Sequence, residues 1–253
     1  VRSADGRLLG EVGEGNRKDI RNAVEAAHAA ASWQFTHGHQ RAQILYYIAE
    51  NLAARSAEFA ARLAALTGQD GTTEVQAALK RLFTYAAWAD KYDGLVHSTP
   101  LRGIVLAIPE PIGVIGILCP NEAPLLSLIA LMAPAIAMGN TVVVVPSETY
   151  PLIATDLYQV LETSDLPSGV VNIVTGKRDV LAKTLAEHED VDAVWYFGTP
   201  EGVKLVEAAS VSNLKRTWAE ATSRNWFDRA QGEGQHFLRA ATQVKNIWTP
   251  YGE

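Results

Sequence analysis

Residues 116–125, GILCPNEAPL, set the chain's single cysteine, Cys119, just ahead of a carboxylate, Glu122. A thiolate beside a carboxylate is material for covalent catalysis: the sulfur attacks a carbonyl and the carboxylate moves a proton. A cysteine becomes nucleophilic only when something lowers its pKa, and no histidine or lysine is close in sequence to Cys119. Without such a neighbour a free cysteine is a small buried hydrophobe, and that is the role expected here. His37 and His39, in THGHQR, are two potential metal ligands, but a zinc site needs more and none stand nearby. That tract is expected to be a solvated loop between helices. FGTPEG, residues 197–202, is built to start a helix: Thr199 as cap, Pro200 in the first turn, Glu201 at the positive end. Such a turn can also present N–H groups to a phosphate. Capping accounts for it equally well, and the chain has neither a GxGxxG nor a Walker loop.

The elements that position these residues change character near Pro100. Before it the chain reads as helices. Asn16 and Asp19 form an N-cap pair ahead of the stripe Ile20, Val24 and Ala27. Further stripes follow at Ile44, Ile48 and Leu52, at Phe59, Leu63 and Leu66, and from Val75 through Leu79, Leu82 and Ala86 to Ala89. Beyond Pro100, IGVIGIL, TVVVV, GVVNIV, DAVWYF and NLKRTW read as strands. They alternate with helix-length stretches at 124–139, 150–163, 178–187 and 200–209. Continuous apolar strands separated by helices predict an α/β fold with a doubly wound, Rossmann-like parallel sheet. In such a sheet a ligand sits beyond the carboxyl ends of the strands, in the loops CPNEAP, PSETYP, TGKRD and FGTPEG. The chain closes on one more strand-like run, TQVKNIWTPYGE, with no crossover helix before it. That strand is expected to find a sheet edge in another chain or domain.

The totals exclude several functions. With 253 residues, 48% of them hydrophobic, and a formal charge of −6, the chain is an ordinary globular sequence with no basic block. Neither nucleic acid nor an anionic membrane is an expected partner. The apolar stretch from Leu125 to Met138 is too short to span a bilayer and reads as a buried helix. A single cysteine suits a reducing compartment, and a cytoplasmic location is expected. The sequence opens on Val1 and reads as a piece of a longer polypeptide.

IPEPIGVIGILCPNEAPLLSLIALMAPAIAMGNTVVVVPSETYPL strongly resembles the aldehyde dehydrogenase superfamily, whose matching stretch runs EPVGV, a strand, P-W-N-x-P-L, APALAxGNTVV and K-P-S-E-x-x-P. LPSGVVNIVTG and YFGTPEGVKLV continue the match to P-x-GVxNxVxG and F-T-G-S-T-E-x-G, and the N-terminal helices are similar as well. The resemblance runs from near residue 1 to about residue 226. It implies an NAD-binding-like domain over 1–226, a linker over 227–241 in place of the family's catalytic domain, and an oligomerisation strand over 242–253. In the family the nucleophilic cysteine lies in an inner domain after E-L-G-G-K. Here AEATSR stands at that segment, with Glu220 at the general base, and the inner domain does not follow.

The resemblance also implies what the departures cost. Cys119 does not match the catalytic cysteine. Glu122 stands at the asparagine whose amide donates to the oxyanion, and an ionised glutamate only accepts. An oxyanion about 4 Å away would meet repulsion of about 4 kcal/mol at an effective dielectric near 20. Val145 replaces the lysine that holds the adenosine ribose of NAD, a loss of roughly 1.5–3 kcal/mol. Glu148 matches the ribose-contacting glutamate, and Gly198 and Thr199 keep part of the pyrophosphate turn, while Phe197 and Pro200 depart from it. The chain most resembles the degenerate C-terminal half of a family-16 aldehyde dehydrogenase. It is expected to be a non-catalytic assembly domain with no cofactor of its own, docking by its terminal strand onto a catalytic domain that uses NAD. Two alternatives stay open: a module that still binds NAD, and part of an active aldehyde-oxidising enzyme using Cys119 and Glu220.

Overall fold

The structure, a computed structural model, describes residues 1–100 and 102–251. Residue 101, and residues 252 and 253 at the end of the expected terminal strand, lie outside the described residues. Four helices come first: α1 (Arg17–Ala29), α2 (Gly38–Ala54), α3 (Ser56–Thr67) and α4 (Thr72–Trp88). Asn16 and Asp19 form the expected reciprocal cap of α1. THGHQR is not a loop throughout: α2 begins at Gly38, so His39 lies in its first turn and His37 immediately precedes it. Among the described residues no group of three or more His, Cys, Asp or Glu could hold a metal.

Strands β1 (Leu95–His97) and β2 (Gly103–Pro111) form an antiparallel hairpin. The α/β unit follows as β3 (Val114–Leu118), α5 (Pro124–Ala137), β4 (Thr141–Val145), α6 (Leu152–Glu162), β5 (Val171–Ile173), α7 (Arg178–Glu187), β6 (Ala193–Phe197), α8 (Pro200–Ala209) and β7 (Arg216–Glu220). The last elements are α9 (Arg229–Gly232), α10 (Gln235–Ala240) and β8 (Thr242–Pro250). β7 starts later than NLKRTW suggests. Leu214 is left-handed at φ 56°, and the Asn213 amide donates to the Glu189 and Val191 carbonyls, which makes a turn of those residues.

The five parallel strands run in the order β5-β4-β3-β6-β7, the doubly wound arrangement expected. Residues alternate between its faces. Ile115, Ile117, Val142, Val144 and Trp195 join the core formed with α2–α6 and α10. Val114, Leu118, Val143, Val194 and Tyr196 join the core formed with α1, α7 and α8. Every residue of α5 is buried, as a helix apolar on all sides must be. No helix among the described residues is long and apolar enough to cross a membrane.

The terminal strand corrects one expectation. β8 finds its edge within its own chain, pairing antiparallel with β2 from Pro111↔Thr242 to Gly103↔Pro250. Asn140 ties the two ends together, donating to the Ala241 carbonyl after α10 and accepting from Ile112 N just past β2. Residues 227–241 hold two short helices, with Phe237 and Leu238 buried. Glu233 fixes this segment to α4. It accepts from Arg81 Nη1 and from Thr84 Oγ1 at 3.0 Å, with the Arg81 and Glu233 side chains only 4% and 10% exposed.

Candidate functional site

From β3 the sheet grows one way to β4 and β5, and from β6 the other way to β7. The crevice between the carboxyl ends of β3 and β6 is therefore the topological switch point, where a ligand of such a sheet would sit. A cavity of about 200 Å³ opens there, lined by Pro120–Glu122, Arg178, Phe197–Thr199, residues 221–224 and Trp226. It brings together Glu122, Gly198 and Thr199 of the expected site residues. Glu148 and Glu220 lie outside it, and Val145 is buried in the sheet.

Cys119 is fully buried behind this cavity, and its N–H donates to the Val145 carbonyl at 2.9 Å. Burial pushes its thiol up to about 12, against a smaller opposing pull from the Arg178 charge. It remains a thiol at neutral pH. Glu122 is exposed on the rim and supplies a carboxylate, not a donor, at that position.

Glu220, at the end of β7, is enclosed by donors. Trp218 Nε1 reaches Oε1 at 2.7 Å, Arg224 Nε reaches Oε2 at 3.2 Å, and Arg224 Nη2 bonds Oε1. Burial would raise its pKa, but the bonds from Arg224 and Trp218, with the Arg224 charge, prevail and hold it below the usual carboxylate range. Three of its lone-pair sites accept these bonds, and a lowered pKa makes it a weaker base. Arg224 itself sits among Phe197, Trp218, Trp226 and Phe237, its guanidinium carbon 5.4–5.7 Å from each ring centre. This stack couples β6, β7 and α10.

The helix N-termini around the crevice are also capped from within the chain. Glu74 of α4 accepts from Leu125 N and Leu126 N of α5 at 2.8 and 3.1 Å. Glu148 accepts from Arg178 N, at the start of α7, at 3.0 Å. Thr199 Oγ1 accepts from Gly202 N of α8 at 3.0 Å, and Thr199 N donates to the Tyr196 hydroxyl at 3.1 Å. Ahead of α6, Ser147 Oγ accepts from Tyr150 N and donates to Asn121 Oδ1. Arg178 Nη1 spans the crevice, donating to the Cys119 and Phe197 carbonyls at 3.3 and 3.2 Å.

Sequence reasoning missed the residues that fill the site. Arg178 lay in a loop marked for inspection, TGKRD, but nothing in its spacing says it turns inward. Tyr196 reads as strand core, and its hydroxyl is the feature that matters. The Arg224 stack unites residues from three elements, which no local pattern reveals.

A family model described as the aldehyde dehydrogenase family matches residues 1–227. The aldehyde dehydrogenase of Agaricus bisporus is 34% identical over 228 residues, covering 87% of this chain and 46% of that protein. Retinaldehyde dehydrogenase 3 of Rattus norvegicus is 36% identical over 224 residues, covering 85% of this chain and 44% of that one. Among solved structures, PnpE from Pseudomonas sp. WBC-3 superposes with a TM-score of 0.84 at 30% identity, over 88% of this chain and 47% of that one. PnpE is also solved in complex with nicotinamide adenine dinucleotide. The chain spans under half the length of these relatives.

Proposed function

This chain belongs to the aldehyde dehydrogenase family, and from that premise we propose that it is a non-catalytic domain with an assembly role, docking onto a catalytic domain of the family. The observation that carries the proposal is the state of the two groups that would have to react. Cys119 is sealed in the core as a protonated thiol, and Glu220 is locked in an ion pair with Arg224. Cys119 cannot act without dismantling the packing around it, and Glu220 would have to give up its bonds from Arg224. At that position Glu122 offers acceptors where an oxyanion needs a donor.

The same reading gives the domain no cofactor of its own. An anionic dinucleotide draws on free N–H groups at helix N-termini. Here Leu125 N and Leu126 N of α5, Arg178 N of α7, and Thr199 N and Gly202 N at α8 already serve Glu74, Glu148, Tyr196 and Thr199, and Pro200 has none to offer. The residues present do not fit the ligand. The alternative of a retained NAD-binding module rests on Glu148, which is engaged as a helix cap, and on the Gly198–Thr199 turn, where Thr199 caps α8.

Docking is supported by the small sheet β1-β2-β8. Leu95, Val96, Val244 and Trp248 are 67%, 72%, 61% and 55% exposed on it. β8 is bonded to β2 on one side and is an edge strand on the other. An open edge with exposed apolar side chains favours pairing with another strand. The partner is a catalytic aldehyde dehydrogenase domain, of the same polypeptide or another. Co-expression with such a domain, followed by light scattering, should give a complex that is lost when residues 242–253 are deleted. A complex of unchanged mass after the deletion contradicts the docking role.

A further inference from the structure

We propose that Arg178 and Tyr196 form an internal plug that occupies the switch-point crevice in place of an anionic ligand and closes it to dinucleotides. The proposal rests on the cofactor-free reading above and identifies the side chains responsible. Arg178 is 6% exposed and starts α7, yet its guanidinium reaches across to the carbonyl of Cys119, just past β3, and to that of Phe197, the last residue of β6. One side chain thus bridges the two strands between which a ligand would enter. The guanidinium is anchored in place through one nitrogen, while its buried Nε makes no hydrogen bond. Nη1 is spent on those carbonyls, and Nε faces Asp179 Oδ1 at 3.6 Å.

Tyr196 lies beneath the turn before α8. Its hydroxyl donates to Asp179 Oδ1 at 2.7 Å and accepts from Thr199 N at 3.1 Å, so it uses the donor that the turn before α8 would offer. It also fills the glycine cradle of that turn. A Cβ added at Gly202 would stand 1.8 Å from the Tyr196 oxygen, and one at Gly198 would stand 2.6 Å from it and 2.8 Å from Arg178 Cζ. Glycines normally let a phosphate approach the backbone closely. In this chain that space holds a phenol and a guanidinium, joined through Asp179. The plug is part of the fold and joins the ends of β3 and β6 to the starts of α7 and α8.

The test is calorimetric titration of the full chain with NAD and, separately, ADP. The wild type should give no saturable heat at about 1 mM ligand. Arg178→Ala/Tyr196→Phe, shown to be folded by circular dichroism, should bind at least one of the two with a dissociation constant below about 1 mM. A folded double variant that stays inert overturns the plug and leaves the cofactor-free reading standing. A wild type that binds NAD as well as the variant overturns both. Tyr196→Phe alone is nearly isosteric and provides a second arm. Loss of the hydroxyl should speed amide exchange at Thr199 about two- to tenfold, the effect of one hydrogen bond. Unchanged exchange contradicts the role assigned to Tyr196.

Discussion

Replacing Glu233 by alanine should detach the segment that stands between β7 and the terminal strand. Glu233 is the sole carboxylate paired with Arg81 among the described residues, and both side chains are at least nine-tenths buried. After the change Arg81 keeps one bond, from Nη2 to the Trp226 carbonyl at 3.0 Å, while its Nε already lacks a partner. Breaking a buried pair by removing one member costs about 3–5 kcal/mol, because a charge is left buried without compensation. At about 2–4 °C per kcal/mol for a chain of this size, Tm should fall by roughly 6–20 °C. Should the segment release by itself, part of that cost appears as faster amide exchange across α9 and α10. Replacing both partners by apolar residues, Arg81→Met with Glu233→Leu, should recover most of the loss, since no buried charge remains. Scanning calorimetry and hydrogen exchange together read the outcome. A Glu233→Ala protein with unchanged Tm and unchanged exchange in α10 would refute the reasoning.

Cys119 should resist a thiol reagent in the native protein at pH 8 and react at once in denaturant, because burial holds its pKa near 12; rapid native labelling contradicts this. Stability should fall on mild acidification. Burial, then the charges of Lys215, Arg21 and His28, depress His188 below its ordinary 6.5, while Asp190 opposes them. Burial and Arg224 depress His236, while Glu220 and the Gln231 backbone oppose them. With folded values below unfolded ones, the contribution of both neutral imidazoles is complete above pH 6.5 and is lost as pH falls through the folded values. Tm measured from pH 7.5 downward should drop in that window, and His188→Gln/His236→Gln should flatten the drop; parallel curves contradict it.

Much of the scaffold was legible because it is written in local periodicity. The stripes of α1 to α4, the Asn16–Asp19 cap and the apolar runs of β3, β4 and β6 each point to one element, and alternation of type gives the sheet. The site was legible only in part. Glu122 and the Thr199 turn could be located in their loops, because strand ends are where loops converge. That Glu148 caps α7 depends on a contact over thirty residues. The capping of α5 by Glu74 spans an even longer separation and leaves no trace in the spacing of either segment. The terminal strand was recognisable as a strand, but its partner was not, since the path of residues 227–241 across α4 and α5 decides where it arrives.

The central claim is that the scaffold survives while the reacting groups are disarmed, and the most direct measurement is NADH formation by the purified chain. Supplied with NAD and a panel of aliphatic and aromatic aldehydes across pH 6–9, it should give no absorbance increase at 340 nm above a protein-free control. A rate proportional to the concentration of this chain, abolished by Cys119→Ser or Glu220→Gln, would contradict the account.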